Sequence, residues 1–125
     1  MPINSPDAVI AVFELQPYWG PELQRLFQTD NVAVTECRSV DDLFPIVDGF
    51  SKALIVVDLD AALVDCLTWL GNNVAKRPVR VPIIAIGSAA TAELEWRLRE
   101  AGVAAFLPEL IAGTDFARLC RRLLS

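Results

Sequence analysis

The sequence predicts a three-layer α/β domain in which a doubly wound, five-stranded parallel sheet carries helices on both faces. Three observations lead there. Five short apolar runs, at 8–13, 32–37, 53–57, 81–86 and 103–107, alternate with longer amphipathic stretches. The clearest runs are apolar throughout rather than at every second residue, as in strands covered on both faces. The chain has 125 residues, the size of one domain spanning 1–125, and 54% are hydrophobic, enough to fill a core. Parallel neighbours need long crossovers, and right-handed crossovers distribute the helices over both faces.

The first run, Ala8-Val9-Ile10-Ala11-Val12-Phe13, is bounded by polar residues. Pro17 and Pro21 flank a turn and a helix start; Trp19, Leu23, Leu26 and Phe27 then recur at helical spacing until Asp30-Asn31. Val32, Val34 and Thr35 make the second strand β-branched. Ser39, followed three residues later by Asp42, marks a helix start, because the hydroxyl accepts an orphan backbone N–H and the acid suits the positive helix end. Pro45 keeps that helix short or irregular.

Ala53-Leu54-Ile55-Val56-Val57 is the clearest buried strand. After Asp58-Leu59-Asp60, residues Leu63, Cys66, Leu67, Leu70 and Val74 trace one helical face. Pro82 stands near the start of the fourth strand, where a missing donor is tolerated. A helix from Thr91 to Ala101 is closed by Gly102, and the fifth strand runs from Val103 to Leu107. Thr114 or Asp115 starts the last helix, with Phe116, Leu119, Cys120 and Leu123 on one face. The expected strand order is 2-1-3-4-5, the flavodoxin-like arrangement, which gathers functional groups beyond the carboxyl ends of the strands.

Composition removes several functions. The chain has no histidine, which excludes His-based acid–base catalysis, a Ser-His-Asp triad and most zinc sites. Its net charge is −5, and its densest basic groups, Lys76-Arg77-Pro78-Val79-Arg80 and Arg121-Arg122, read as a solvated loop and a helix end. Nucleic acid is therefore not an expected partner. Cys37, Cys66 and Cys120 are odd in number and far apart, each within an apolar pattern, as expected of buried free thiols in a reducing compartment. No apolar run reaches the roughly 18–20 residues that span a bilayer, so no membrane association is expected. The first residues lack a basic cluster followed by an apolar stretch, so the expected location is the cytoplasm.

At the strand ends the sequence resembles the receiver domain of bacterial response regulators, over nearly its whole length. Val56-Val57-Asp58-Leu59 resembles the segment carrying the phospho-accepting aspartate. Val81-Pro82-Ile83-Ile84-Ala85-Ile86-Gly87-Ser88 resembles the fourth strand and the loop after it. Ala101-Gly102-Val103-Ala104-Ala105-Phe106-Leu107-Pro108-Glu109 resembles the approach to the end of the fifth.

The resemblance implies a set of roles and shows which have changed. Receivers hold Mg²⁺ with an acidic pair after the first strand and with the acceptor aspartate; a hydroxyl residue and a lysine bind the phosphoryl oxygens. Here Phe13 stands for the first acid, Glu14 for the second and Asp58 for the acceptor, while Gly87 replaces the hydroxyl residue and Glu109 the lysine. A carboxylate where an ammonium should meet phosphate adds repulsion of roughly 4 kcal/mol at about 4 Å and intermediate dielectric. The resemblance thus implies a degenerate receiver, a non-enzymatic signalling module acting through a protein partner or a second copy of itself. A weak Mg²⁺ site at Glu14 and Asp58 is its one residual chemistry. Ser88 and Asp60 read as helix-start residues, Phe106 stands where receivers carry their switch aromatic, and Trp96 is the candidate interface residue. Trp69 reads as a helix-edge residue, partly buried. Two rival readings are a stand-alone regulator phosphorylated on Asp58 and a small flavodoxin-like binder of a nucleotide or flavin. The second needs a phosphate-cradling loop after the first strand, which Glu14-Leu15-Gln16-Pro17 does not supply.

Overall fold

The computed structural model describes residues 6–73, 81–108 and 111–125. Its five strands are β1 (Ala8–Phe13), β2 (Val32–Cys37), β3 (Lys52–Asp58), β4 (Ile83–Ile86) and β5 (Ala105–Leu107). They form one sheet in the order 2-1-3-4-5, with every neighbouring pair parallel. The helices are α1 (Trp19–Leu26), α2 (Leu43–Val47), α3 (Leu63–Asn73), α4 (Glu95–Glu100) and α5 (Gly113–Leu124).

The sheet's pleat sends alternate residues to opposite faces and so builds two cores. Val9, Ala11, Phe13, Ile55, Val57, Ile83, Ala85 and Phe106 pack with residues of α2, α3 and α4. Ile10, Val12, Leu54, Val56, Ile84 and Ile86 pack with Trp19 and Leu23 of α1 and Phe116 and Cys120 of α5. Double coverage explains why β1, β3 and β4 read as continuous apolar runs. Cys37, Cys66 and Cys120 are free and buried; burial pushes the thiols of Cys66 and Cys120 up to about 12.

Several boundaries differ from expectation for local reasons. α1 ends at Leu26, short of Asp30-Asn31, and a turn follows in which Asn31 takes φ 54°, a left-handed conformation that Asn tolerates better than most residues. The chain before Pro45 is a 3₁₀ turn, Val40–Asp42, started by the Ser39 hydroxyl, and α2 is short as expected. Helix formation after β4 begins at Ser88 rather than Thr91, as a 3₁₀ stretch over Ala89–Leu94 that leads into α4. The Ser88 hydroxyl accepts the Ala90 N–H at 3.2 Å, and the Thr91 hydroxyl accepts the Ser88 N–H at 2.9 Å, so each residue caps the other's turn. Gly102 closes α4 at φ 105°, and the Val103 N–H donates to the Leu98 carbonyl at 3.0 Å. That bond holds Val103 in the helix end, so β5 starts at Ala105.

Trp69 corrects the sequence reading. It is buried beneath α3 and its ring lies 5.0 Å from that of Phe44, in the core rather than at a helix edge. Trp96 is 63% exposed on α4. Arg121 does more than solvate a helix end. It donates to the Asp30 carboxylate at 2.8 Å and to the Leu26 carbonyl at 3.1 Å, fastening α5 to the end of α1. Val74 and the basic 76–80 segment lie outside the described residues.

Candidate functional site

The carboxyl ends of β1, β3 and β4 meet at a cleft of about 460 Å³ lined by Glu14, Tyr18, Trp19, Asp58, Asp60, Gly87, Ser88 and Pro108. Register explains who meets whom. Phe13 pairs with Val57 across β1 and β3, so the next residue on each strand, Glu14 and Asp58, comes to the same rim. Pleat then separates Phe13 from Glu14. Phe13 is buried in the core under α2 and α3, whereas Glu14 turns to the α1 side.

Glu14 is only 3% exposed, yet its carboxylate is fully partnered. One oxygen accepts the N–H groups of Tyr18 at 3.0 Å and Gly20 at 2.9 Å, and the other accepts that of Trp19 at 3.0 Å. These are backbone donors at the start of α1, where a helix leaves N–H groups without internal partners and favours negative charge. Glu14 therefore terminates the helix. Glu36, at the end of β2, hydrogen-bonds to Glu14; desolvation first, then that bond and the Glu14 charge, raise its pKa, while Arg38 opposes the rise. The Glu36 carboxyl lies across Gly20 so closely that a Cβ there would overlap it.

Asp58 ends β3, half-buried, and its carboxylate accepts the Asp60 N–H at 3.1 Å. Its pKa is raised, chiefly by desolvation and further by the charges of Asp60 and Glu14, against backbone hydrogen bonds from Asp60 and Ala61 that lower it. Asp60, expected to cap α3, instead places its carboxylate 3.4 Å from the Ser88 hydroxyl. Ser88 is a helix-start residue, as the sequence implied.

Gly87 leaves no room for a side chain. A Cβ there would overlap the Thr91 hydroxyl and stand 2.9 Å from Cε1 of Phe106. Phe106 is accordingly packed inward and buried. Glu109 lies outside the described residues.

The described residues do not fit Mg²⁺. Glu14, the expected direct ligand, has both oxygens engaged by backbone donors, and Phe13 brings no oxygen. Among the described residues no three metal-ligating side chains converge, although a hard cation takes six or more oxygens. The weak site expected at Glu14 and Asp58 thus lacks its first member for a physical reason: a glutamate next to a helix start satisfies that helix.

Three residues that shape the site went unnoticed in the sequence. Thr91 was readable, since Ser88 and Thr91 stand three apart, as in a capping pair. Glu36 looks like any polar residue on an edge strand, and nothing in the sequence says that Gly20 must be small.

No family model matches the chain, and no curated protein matches it by sequence. Solved structures do. The receiver domain of the TMAO respiratory system response regulator TorR has 19% identity and a TM-score of 0.76, covering 94% of this chain and 96% of that one. The N-terminal signal receiver domain of a two-component response regulator from Bacteroides fragilis gives 14% identity and 0.77, over 94% and 97%. A CheY-like protein, tadZ, from Pseudomonas aeruginosa gives 20% identity and 0.73, over 93% and 98%. Strand order, helix placement and these likenesses agree: the chain has the fold of response-regulator receiver domains.

Proposed function

We propose that this domain is a regulatory protein-interaction module of a signalling pathway, a degenerate receiver that works without conventional phosphorylation of Asp58 and without catalysis of its own. The observation that carries the reading is the orientation of Glu14. Acceptance of a phosphoryl group by an aspartate depends on a cation to neutralise charge as it develops. The carboxylate that would hold that cation is drawn onto three N–H groups of α1. Gly87 supports the same reading, because Thr91 and Phe106 fill the space of the hydroxyl residue.

Such a module acts by being bound, through a protein partner or a second copy. Trp96, 63% exposed on α4, is the kind of large aromatic that anchors interfaces. A cytoplasmic setting belongs to the reading. Among the described residues no helix is long and apolar enough to cross a membrane, and three thiols are free.

The stand-alone phospho-acceptor is the second reading, favoured by Asp58 at the rim of the cleft. One experiment separates the two: incubation with acetyl phosphate and Mg²⁺, then intact mass. The expected mass is that of the unmodified chain. A stoichiometric phosphoryl gain, absent in Asp58→Asn, would overturn the degenerate reading in favour of the second.

A further inference from the structure

The cleft at the carboxyl ends of β1, β3 and β4 encloses about 460 Å³, inside the roughly 300–1,000 Å³ of small-molecule sites. We infer that it binds a small organic cation, an ammonium or guanidinium group carried on a short apolar body. The inference rests on the proposed role as a module that works without phosphorylation, and it names the chemical input that the same site takes instead.

The accessible walls of the cleft are apolar. Tyr18 is 55% exposed, Ala89 is exposed and Pro108 is half-buried, and all three line it. Trp19 and Ile86 also line it, but they are buried and add little surface. Among the described residues four large apolar side chains remain exposed, and Tyr18 is the one of the four that borders this cleft. Its ring stands edge-on to that of Trp19, with centroids 4.8 Å apart, which braces it in place. A concave apolar surface with an exposed aromatic and a few convergent polar groups is the usual form of a ligand site.

Carboxylates alone would simply be hydrated; beside an apolar wall they select the ligand. Asp58 is half-buried and accepts the Asp60 N–H at 3.1 Å, and the Asp60 carboxylate lies 3.4 Å from the Ser88 hydroxyl. Neither carboxylate forms an ion pair with a described residue, and no Lys or Arg among the described residues lines the cleft. A phosphate or nucleotide would meet uncompensated negative charge here. A bare metal ion lacks ligands, because both Glu14 oxygens are held by backbone donors. A neutral apolar molecule would bury Asp58 further without a partner, which is costly. An ammonium or guanidinium donates charge-assisted hydrogen bonds to Asp58 and Asp60, while its body covers Tyr18 and Pro108. A cation over the exposed tyrosine ring is attracted as well. The raised pKa of Asp58, which desolvation and the charges of Asp60 and Glu14 produce, is the effect that such a cation would reverse.

The test titrates isotopically labelled protein with four probes, read by amide chemical shifts. Phenethylamine carries the cation on an aromatic body; phenethyl alcohol and 3-phenylpropionate replace the cation with a neutral group and an anion. N-acetyl-lysinamide presents the same ammonium as a partner protein's side chain would. Phenethylamine should shift Tyr18, Asp58 to Asp60 and Gly87 to Ala89, and the alcohol and the anion should not. Asp58→Asn and Tyr18→Ser should each bind it on the order of tenfold more weakly. Asp115→Asn, which removes a carboxylate from α5, should bind it as the parent does. Equal binding of the alcohol, shifts outside the cleft, or unchanged affinity of Asp58→Asn would overturn the site. The lysine derivative binding as tightly as phenethylamine would assign the cleft to a partner's side chain and overturn the small-molecule ligand. Those results leave the functional reading standing, whereas phosphorylation of Asp58 by acetyl phosphate removes that reading and leaves the amine titration intact.

Discussion

Phe106 packs against Gly87 so closely that a Cβ on residue 87 would stand 2.9 Å from the ring's Cε1 atom. On its other side the same Cβ would overlap the Thr91 hydroxyl, which is held by the Ser88 N–H. Restoring a hydroxyl residue at 87 therefore overfills the site before it offers any ligand. Gly87→Ser is expected to destabilise the fold by about 1–3 kcal/mol, the usual cost of overpacking. Adding Thr91→Ala should recover part of that loss, seen as a coupling term in a double-mutant cycle by urea denaturation. A Gly87→Ser variant as stable as the parent would mean that Phe106 swings outward at little cost.

Glu14 makes the second prediction. Glu14→Ala leaves three backbone donors at the start of α1 without their acceptor and should cost about 3 kcal/mol. Glu14→Gln should cost less, since its amide oxygen still serves one pair of donors while its NH₂ group faces the third. The parent should melt at the same temperature with and without millimolar Mg²⁺. A metal-dependent rise that vanishes in Glu14→Gln would show that the carboxylate can leave the helix for a cation.

The third prediction concerns pH. Asp58 has a raised pKa in the fold, so the folded chain holds that proton more tightly than the unfolded one. The sign follows: stability contributed by protonated Asp58 is present below the unfolded pKa and is lost as pH rises through the folded one. Asp58→Asn, which keeps an acceptor for the Asp60 N–H, should be the more stable protein at pH 7. Its advantage is no more than about 1 kcal/mol, because the half-buried carboxylate is screened by solvent. That advantage should shrink as pH falls through the usual carboxylate range. Denaturation at neutral and acid pH checks it, and a variant less stable at pH 7 would show that the ionised carboxylate is held favourably.

The sheet could be read from the sequence because strands buried on both faces must be apolar where they are covered, and β1, β4 and the 53–57 stretch of β3 are. Phe13, Glu14, Asp58 and Gly87 could be placed at strand ends for the same reason. Trp69 could not be placed, because a helical tryptophan reads alike whether it meets Phe44 or water. Only the fold brings that ring beneath α3. Nor does the one-dimensional pattern say what Glu14 does. Its type suits a metal ligand and a helix cap equally, and the direction of the chain into α1 decided between them by presenting three N–H groups within 3.0 Å. The packing at Gly87 was settled in the same way, by Thr91 and Phe106 arriving from different elements. Residue identities and their order along the chain determined the architecture through burial. Which polar groups are free to act depended on partners that only tertiary contact supplies, because a hydrogen bond or a steric overlap is a relation between atoms distant in sequence.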